Sequence, residues 1–196
     1  MPDTSDSLLS IYKGWDGYQS SLMHAVTPLT AAQLAFRPAP HLRSVGELVR
    51  HIALGRVDWF LRMDAPGSRQ LAGQISVWDE DQQGNRYARE QAIVAVDNAG
   101  ELAKWLEASW QMIDQTLRLW TVDDLQKTYR HTWRGETYAI SRQWTIWRIM
   151  AHDLHHGGEL SLLLGIQGIE NLELGALGGH IIEPPRVEDK NEPSSG

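Results

Sequence analysis

Ala151-His152-Asp153-Leu154-His155-His156-Gly157-Gly158-Glu159-Leu160 is the stretch on which the reading of this chain turns. It lies within a segment from Ser141 to about Leu164 whose apolar residues recur at helical spacing, closed by Gly165 with Gly168 soon after. On a helix turning about 100° per residue, His152 and His156 fall about 40° apart, one turn above the other. His155 points about 60° to the other side of His152. The stripe holding His152 and His156 also holds Thr145, Ile149, Leu160 and Leu163, with Glu159 at its edge, so it is the inward face. Two imidazoles facing an apolar interior are costly unless something binds them. Their i, i+4 spacing is the one by which a helix offers two nitrogens to a single metal ion.

Working outward, three more segments read as long helices. The first, Ser5 to Val26, places Leu8, Leu9, Tyr12, Trp15, Gln19, Leu22 and Met23 at three- and four-residue steps. A loop rich in proline follows, with one short helical turn at Thr30 to Leu34. The second starts at Ser44-Val45-Gly46-Glu47, a capping box in which serine takes a free amide and glutamate reaches back. It carries Leu48, His51, Ile52, Trp59 and Met63 and stops at Asp64-Ala65-Pro66-Gly67. Residues 66–86 read as a long loop. The third helix has no sharp start between Arg86 and Gly100, and runs to about Trp120. Residues 121–138 read as a loop or one irregular hairpin around Arg134-Gly135. The expected fold is all-α, a four-helix bundle with irregular loop insertions. It forms one domain over residues 1–168, and residues 169–196 make an extended or disordered tail.

A third nitrogen should come from another helix, and His51, flanked by Leu48 and Ile52, is the candidate. Gly55 follows it by one turn, leaving that side uncovered. Asp58 and Glu47 lie near the same face and can orient an imidazole. Three neutral nitrogens leave an ion at +2 with open positions, the arrangement of a catalytic rather than a closed structural site. Around it, Asp58 and Glu159 are candidates for a general base or for imidazole orientation. Arg148, one turn before His152, is a candidate for holding an anionic substrate group, and Trp59, Trp144 and Trp147 for walling a pocket. The plainer expectation for each is a solvated charge, an ion pair or an ordinary core ring.

Composition narrows the function. The chain has 196 residues and no cysteine, which rules out disulfides, thiolate zinc sites and cysteine nucleophiles and fits a reducing cytoplasm. A net charge of −7 argues against nucleic acid as a partner. No run approaches the roughly 18 apolar residues of a membrane span. Nine tryptophans against two phenylalanines imply a core of large rings, each needing a partner for its N–H when buried.

The runs Arg43-Ser44-Val45-Gly46-Glu47-Leu48-Val49-Arg50-His51-Ile52-Ala53 and His152-Asp153-Leu154-His155-His156-Gly157-Gly158-Glu159-Leu160 resemble the DinB-like family of metal-binding four-helix bundles. The resemblance extends over roughly residues 5 to 167. Where many relatives read His-His-Arg-Gly-Gln, this chain reads His155-His156-Gly157-Gly158-Glu159. The resemblance implies a metal triad of His51, His152 and His156, the same set that the helical faces select. It also implies a divalent-metal-dependent enzyme acting on a small molecule. The best understood members use low-molecular-weight thiols, as bacillithiol transferases and mycothiol-dependent maleylpyruvate isomerases do. A chain without cysteine would import its thiol, and a metal-activated water would serve a hydrolase equally well. Zinc or nickel is the expected ion. The alternatives are a non-catalytic, stress-associated bundle that binds metal or a small ligand, and a helical interaction protein that uses its tryptophans to form a homodimer.

Overall fold

A computed structural model of the protein describes residues 7–92 and 95–169, so the expected tail, from residue 170 onward, lies outside the described residues. The fold is mostly helical. The elements are α1 (Trp15–Val26), α2 (Ala31–Ala35), α3 (Val45–Arg62), α4 (Ser68–Ala72), β1 (Trp78–Glu80), β2 (Arg86–Ala88), α5 (Ala99–Leu119), β3 (Thr128–Trp133), β4 (Glu136–Ser141) and α6 (Arg142–Ile166). The all-α expectation is corrected: the segment read as a long loop contains the short hairpin β1–β2, and residues 121–138, read as a loop or irregular hairpin, contain most of the antiparallel hairpin β3–β4. The second is regular, with six paired positions from Thr128↔Ser141 to Trp133↔Glu136. Its two-residue loop, Arg134 (φ 52°) and Gly135 (φ 81°), has the left-handed backbone that matches the twist of paired strands.

Helix ends follow local chemistry. Ser44 accepts from the Glu47 amide at 3.2 Å while the Glu47 carboxylate accepts from the Ser44 amide at 2.9 Å, the reciprocal cap expected from the sequence. Asn98 caps α5, which puts Gly100 inside its first turn. The first helix is shorter than its periodicity implied. Leu8–Ser10 form a 3₁₀ turn, and α1 begins only at Trp15, after Gly14 takes a left-handed conformation (φ 103°).

The four long helices, α1, α3, α5 and α6, share one core that includes Leu22, Leu48, Ile52, Phe60, Leu106, Ile113, Ile149 and Leu160. In its middle lies an ion pair with no access to water: Arg56 is 0% and Asp153 1% exposed. The Arg56 Nε donates to Asp153 Oδ2 at 2.9 Å, with Nη2 2.8 Å from the same oxygen. Trp15 Nε1 donates to that oxygen at 3.0 Å. The Arg56 Nη1 donates to Gln19 Oε1 at 2.8 Å, and Gln19 Nε2 donates to the Leu106 carbonyl at 3.3 Å. The Tyr18 hydroxyl donates to the Asp153 carbonyl. A Cβ on Gly157 would collide with that hydroxyl, so glycine makes room for it. Burial pushes the Asp153 carboxyl up, but the Arg56 charge, with the nearby His152 and the bonds from Arg56 and Trp15, outweighs it, holding the group below the ordinary carboxylate range.

Replacing one member of such a pair leaves an uncompensated buried charge. Arg56→Met is expected to cost about 3–5 kcal/mol of unfolding free energy in urea titrations of chelator-treated protein. A cost below about 1 kcal/mol would show that water or a rearranged partner already compensates Asp153.

Candidate metal centre

Helices α3 and α6 pack side by side and bring His51, His152 and His156 together, with one nitrogen of each lying within 4.8 Å of the others. The His51 and His152 Nε2 atoms are 3.1 Å apart. Ring centroids are separated by 4.9 Å for His51 and His152, 4.8 Å for His51 and His156, and 4.4 Å for His152 and His156. Nitrogens bound to one tetrahedral ion at about 2.0–2.1 Å lie roughly 3.3–3.5 Å from one another, so the cluster needs only small adjustments to hold one. Gly55 gives the ring room, since a Cβ there would sit 3.0 Å from His152 Cε1 and press on the imidazole.

Each imidazole faces its own carboxylate. His51 Nδ1 lies 2.5 Å from Glu90 Oε1, and His156 Nδ1 lies 2.7 Å from Glu159 Oε2. With Nδ1–H donating to the acid, the Nε2 lone pair is left for the centre. His152 completes the set differently. Its Nδ1 and Asp153 Oδ1 are both buried without a hydrogen-bond partner, 3.9 Å apart. A ligating His152 carries its proton on Nδ1, facing that oxygen, so the two orphaned atoms are the ones a bound ion would pair. Burial pushes the His156 pKa down against the pull of Glu159, and His152 and His51 push it further down, which favours the neutral form a ligand needs. Glu90 and Glu159 would both be raised by burial, but their histidine partners bring them below the ordinary range.

The remaining candidates fall in three places. Glu47 is engaged by the α3 cap and by Arg37 at 2.7 Å, not by an imidazole. Asp58 accepts the Ala88 amide at 3.0 Å and so ties β2 to α3. The residues just after β2 form the turn Glu90–Ala92, and Asp58 thereby helps place Glu90. Burial raises the Asp58 pKa to about 6 despite that bond. Arg148 makes no ion pair among the described residues. It stacks on Trp59 and Trp144, at 4.6 and 5.6 Å from the ring centroids. Trp59 and Trp144 line a pocket together, whereas Trp147 is 62% exposed and outside it. His155 is exposed, 3.3 Å from Glu159. Glu90 leaves no signal in the sequence because it lies 39 residues from its partner in a segment without periodicity. Asp153 and Arg56 do leave one, being charged residues at inward positions of otherwise apolar stripes.

The structure is mostly helical, and three histidines converge from two long helices into a cluster that could hold a metal ion. The chain belongs to the DinB superfamily, whose family description matches residues 15–160. Two solved structures share the fold. One is a DinB-like protein from Bacillus cereus ATCC 10987, with TM-score 0.59 and 15% identity, covering 83% of this chain and 94% of that one. The other is a conserved protein from Enterococcus faecalis, with TM-score 0.54 and 20% identity, covering 78% of this chain and 94% of that one. No curated protein is significantly similar. Among the described residues, no helix is long and apolar enough to cross a membrane.

Two outcomes are expected for these acids. Glu90→Gln weakens the hold on His51 and is expected to lower metal affinity about 10- to 100-fold in competition with a chromogenic chelator; unchanged affinity would remove Glu90 from the centre. Asp58 titrates higher in the folded protein than in the unfolded chain. The folded state therefore binds the extra proton, and stability falls as pH rises from about 4 to about 6. In metal-free protein, Asp58→Asn lacks that loss. Its unfolding free energy should gain on the wild type by on the order of 2 kcal/mol between about pH 4.5 and pH 7. A constant difference across that range would place the titration elsewhere.

Proposed function

We propose that this protein is a divalent-metal-dependent enzyme acting on a small molecule, with His51, His152 and His156 as the ligands of a zinc or nickel ion. The observation that carries the reading is that one nitrogen from each of the three histidines lies within 4.8 Å of the others while the Nδ1 atoms of His51 and His156 are held by Glu90 and Glu159 and that of His152 faces Asp153 without a bond. Three neutral ligands leave open positions and full charge, and an ion so held lowers the pKa of a thiol or water. The long helices act as a four-helix bundle in this reading and fix His152 and His156 to one face of α6. Glu159 orients His156, with one oxygen left towards His155. Asp58, with a pKa raised to about 6, is the nearby group fitted to take up or release a proton. The absence of cysteine makes an imported low-molecular-weight thiol the natural sulfur source for an S-transferase or isomerase, while water in its place gives a hydrolase. A cytoplasmic, homodimeric protein agrees with the acidic, cysteine-free composition and the tryptophans exposed on α6.

Elemental analysis of untagged protein tests the reading, wild type beside His152→Ala. About one equivalent of a transition metal is expected in the wild type and none in the variant. Thiol-transfer and ester-hydrolysis assays on the loaded protein then separate the two nucleophiles. A wild type that stays metal-free after zinc and nickel are offered would end the catalytic reading, leaving a ligand-binding bundle.

A further inference from the structure

Beyond the triad, the α3–α6 seam carries a second feature one to two turns away. His51, Gly55 and Trp59 follow one another at one-turn steps on α3. His156, His152, Arg148 and Trp144 do the same on α6, in the opposite direction along the seam. Trp59 and Trp144 meet with ring centroids 5.8 Å apart, and Arg148 stacks on both. The β3–β4 hairpin covers this end with His131, Trp133, Tyr138 and Ile140, enclosing a pocket of about 400 Å³. Trp133, Tyr138 and Trp144 are each 44–54% exposed, although burying such rings is strongly favourable. Arg62 lies over the Trp59 ring at 4.8 Å and donates to His131 Nδ1 at 3.1 Å, which places the His131 proton on Nε2 as a donor. Neither Arg148 nor Arg62 forms an ion pair with a carboxylate among the described residues. Arg148 stands one turn, about 6 Å along the helix, from His152.

We propose that this arginine–tryptophan cage is the substrate-binding end of the site and takes a flat organic carboxylate with an apolar or conjugated body. The reading rests on the triad being the reacting centre, which the cage adjoins. The guanidinium of Arg148, stacked through its face, keeps its N–H edge free for a bidentate bond to a carboxylate. The rings of Trp59, Trp144 and Trp133 offer flat apolar walls to the body of the ligand. A neutral ligand would leave the guanidinium without a counter-charge, and a compact inorganic anion would leave the rings exposed. The chemistry therefore selects both features in one molecule. Arg148 lies on the same face of α6 as His152 and His156, so a ligand held by it sits on the side of the helix that carries the two imidazoles.

The probe is trans-cinnamate, titrated into metal-free protein and followed by quenching of tryptophan fluorescence, with isothermal calorimetry as the second readout. Saturable binding of cinnamate is expected, at least about tenfold tighter than cinnamamide, which has the same body without the charge. Arg148→Gln, a change at an exposed position that leaves the core untouched, is expected to weaken cinnamate about tenfold or more and abolish its advantage over cinnamamide. Trp144→Ala should weaken both ligands alike. Equal binding of acid and amide, no saturable binding, or an Arg148→Gln variant with wild-type affinity would each overturn the proposal. Because the titration uses metal-free protein, a triad that holds no ion leaves its result intact. Failure of cinnamate to bind, in turn, leaves the elemental analysis of the triad unaffected.

Discussion

A salt bridge without water around it constrains the whole structure. Arg56 touches α1 through Gln19 and α6 through Asp153, and it shares the Leu106 carbonyl of α5 with Gln19, so all four long helices meet at one guanidinium. Such a pair is stable only when its geometry is good and the remaining donors and lone pairs are used. That requirement is directional in a way that leucine packing is not. A slip of one residue in α6 would carry Asp153 away from Arg56 and Trp15 and strand two charges in the core. The register that satisfies the pair is also the register that turns His152 and His156 towards His51. Asp153 therefore works on both sides: Oδ2 is committed to Arg56 and Trp15, while Oδ1 is left facing His152.

Helices alone give an incomplete site. Two of them supply nitrogens at fixed spacing, but a helix cannot place a carboxylate behind a histidine on its neighbour at a chosen angle. The two hairpins do what the helices cannot. The first, tied to α3 by Asp58 and the Ala88 amide, ends in the turn that presents Glu90. The second closes over the Trp59 end of the α3–α6 seam. Asn85, at the tip of the first, donates to the Thr132 carbonyl of the second at 2.7 Å, and Arg62 bonds the Arg86 carbonyl on one hairpin and His131 on the other. The insertions are thereby held to each other and to α3, and the pocket keeps its walls.

What is legible in the sequence follows the range of the interactions concerned. Helical periodicity, the Ser44–Glu47 cap and the His152–His156 spacing are local, and the structure keeps them except ahead of Trp15, where Gly14 breaks the first helix. His51 is within reach because a histidine between Leu48 and Ile52 on an amphipathic helix has to face the same interior as the pair on α6. The hairpins are harder. Residues 66–88 alternate too little and hold too many Gly, Gln and Asp residues to announce strands only three residues long. The second hairpin is legible as an alternative, through the alternation around Arg134-Gly135, but an arginine at a left-handed position where asparagine or glycine is usual leaves its regularity unannounced. Glu90 and the Arg56–Asp153 pair depend on residues 39 and 97 positions apart, which no local pattern connects. Arg56 and Asp153 nonetheless stand out as opposite charges on inward stripes of two different helices. Each needs a buried counter-charge, and pairing them fixes the register of α3 against α6.

Proton positions give a reason to regard the triad as a binding site and not as a set of core histidines. With Glu90 and Glu159 holding protons on the Nδ1 atoms of His51 and His156, both Nε2 atoms are acceptors. The 3.1 Å approach of His152 to His51 then needs a proton on His152 Nε2 if nothing lies between them. A neutral His152 in that form turns a bare Nδ1 lone pair towards Asp153 Oδ1, setting two acceptors against each other in a place without water. Protonating both nitrogens satisfies both contacts, but it adds a cation where burial already disfavours charge on neighbouring His156 and where Asp153 is neutralised by Arg56. A divalent ion among the three Nε2 atoms removes the conflict: every imidazole is then neutral, every Nδ1 carries its proton towards an acid, and the only net charge is the ion's own. The acids behind the histidines thus make sense as a set.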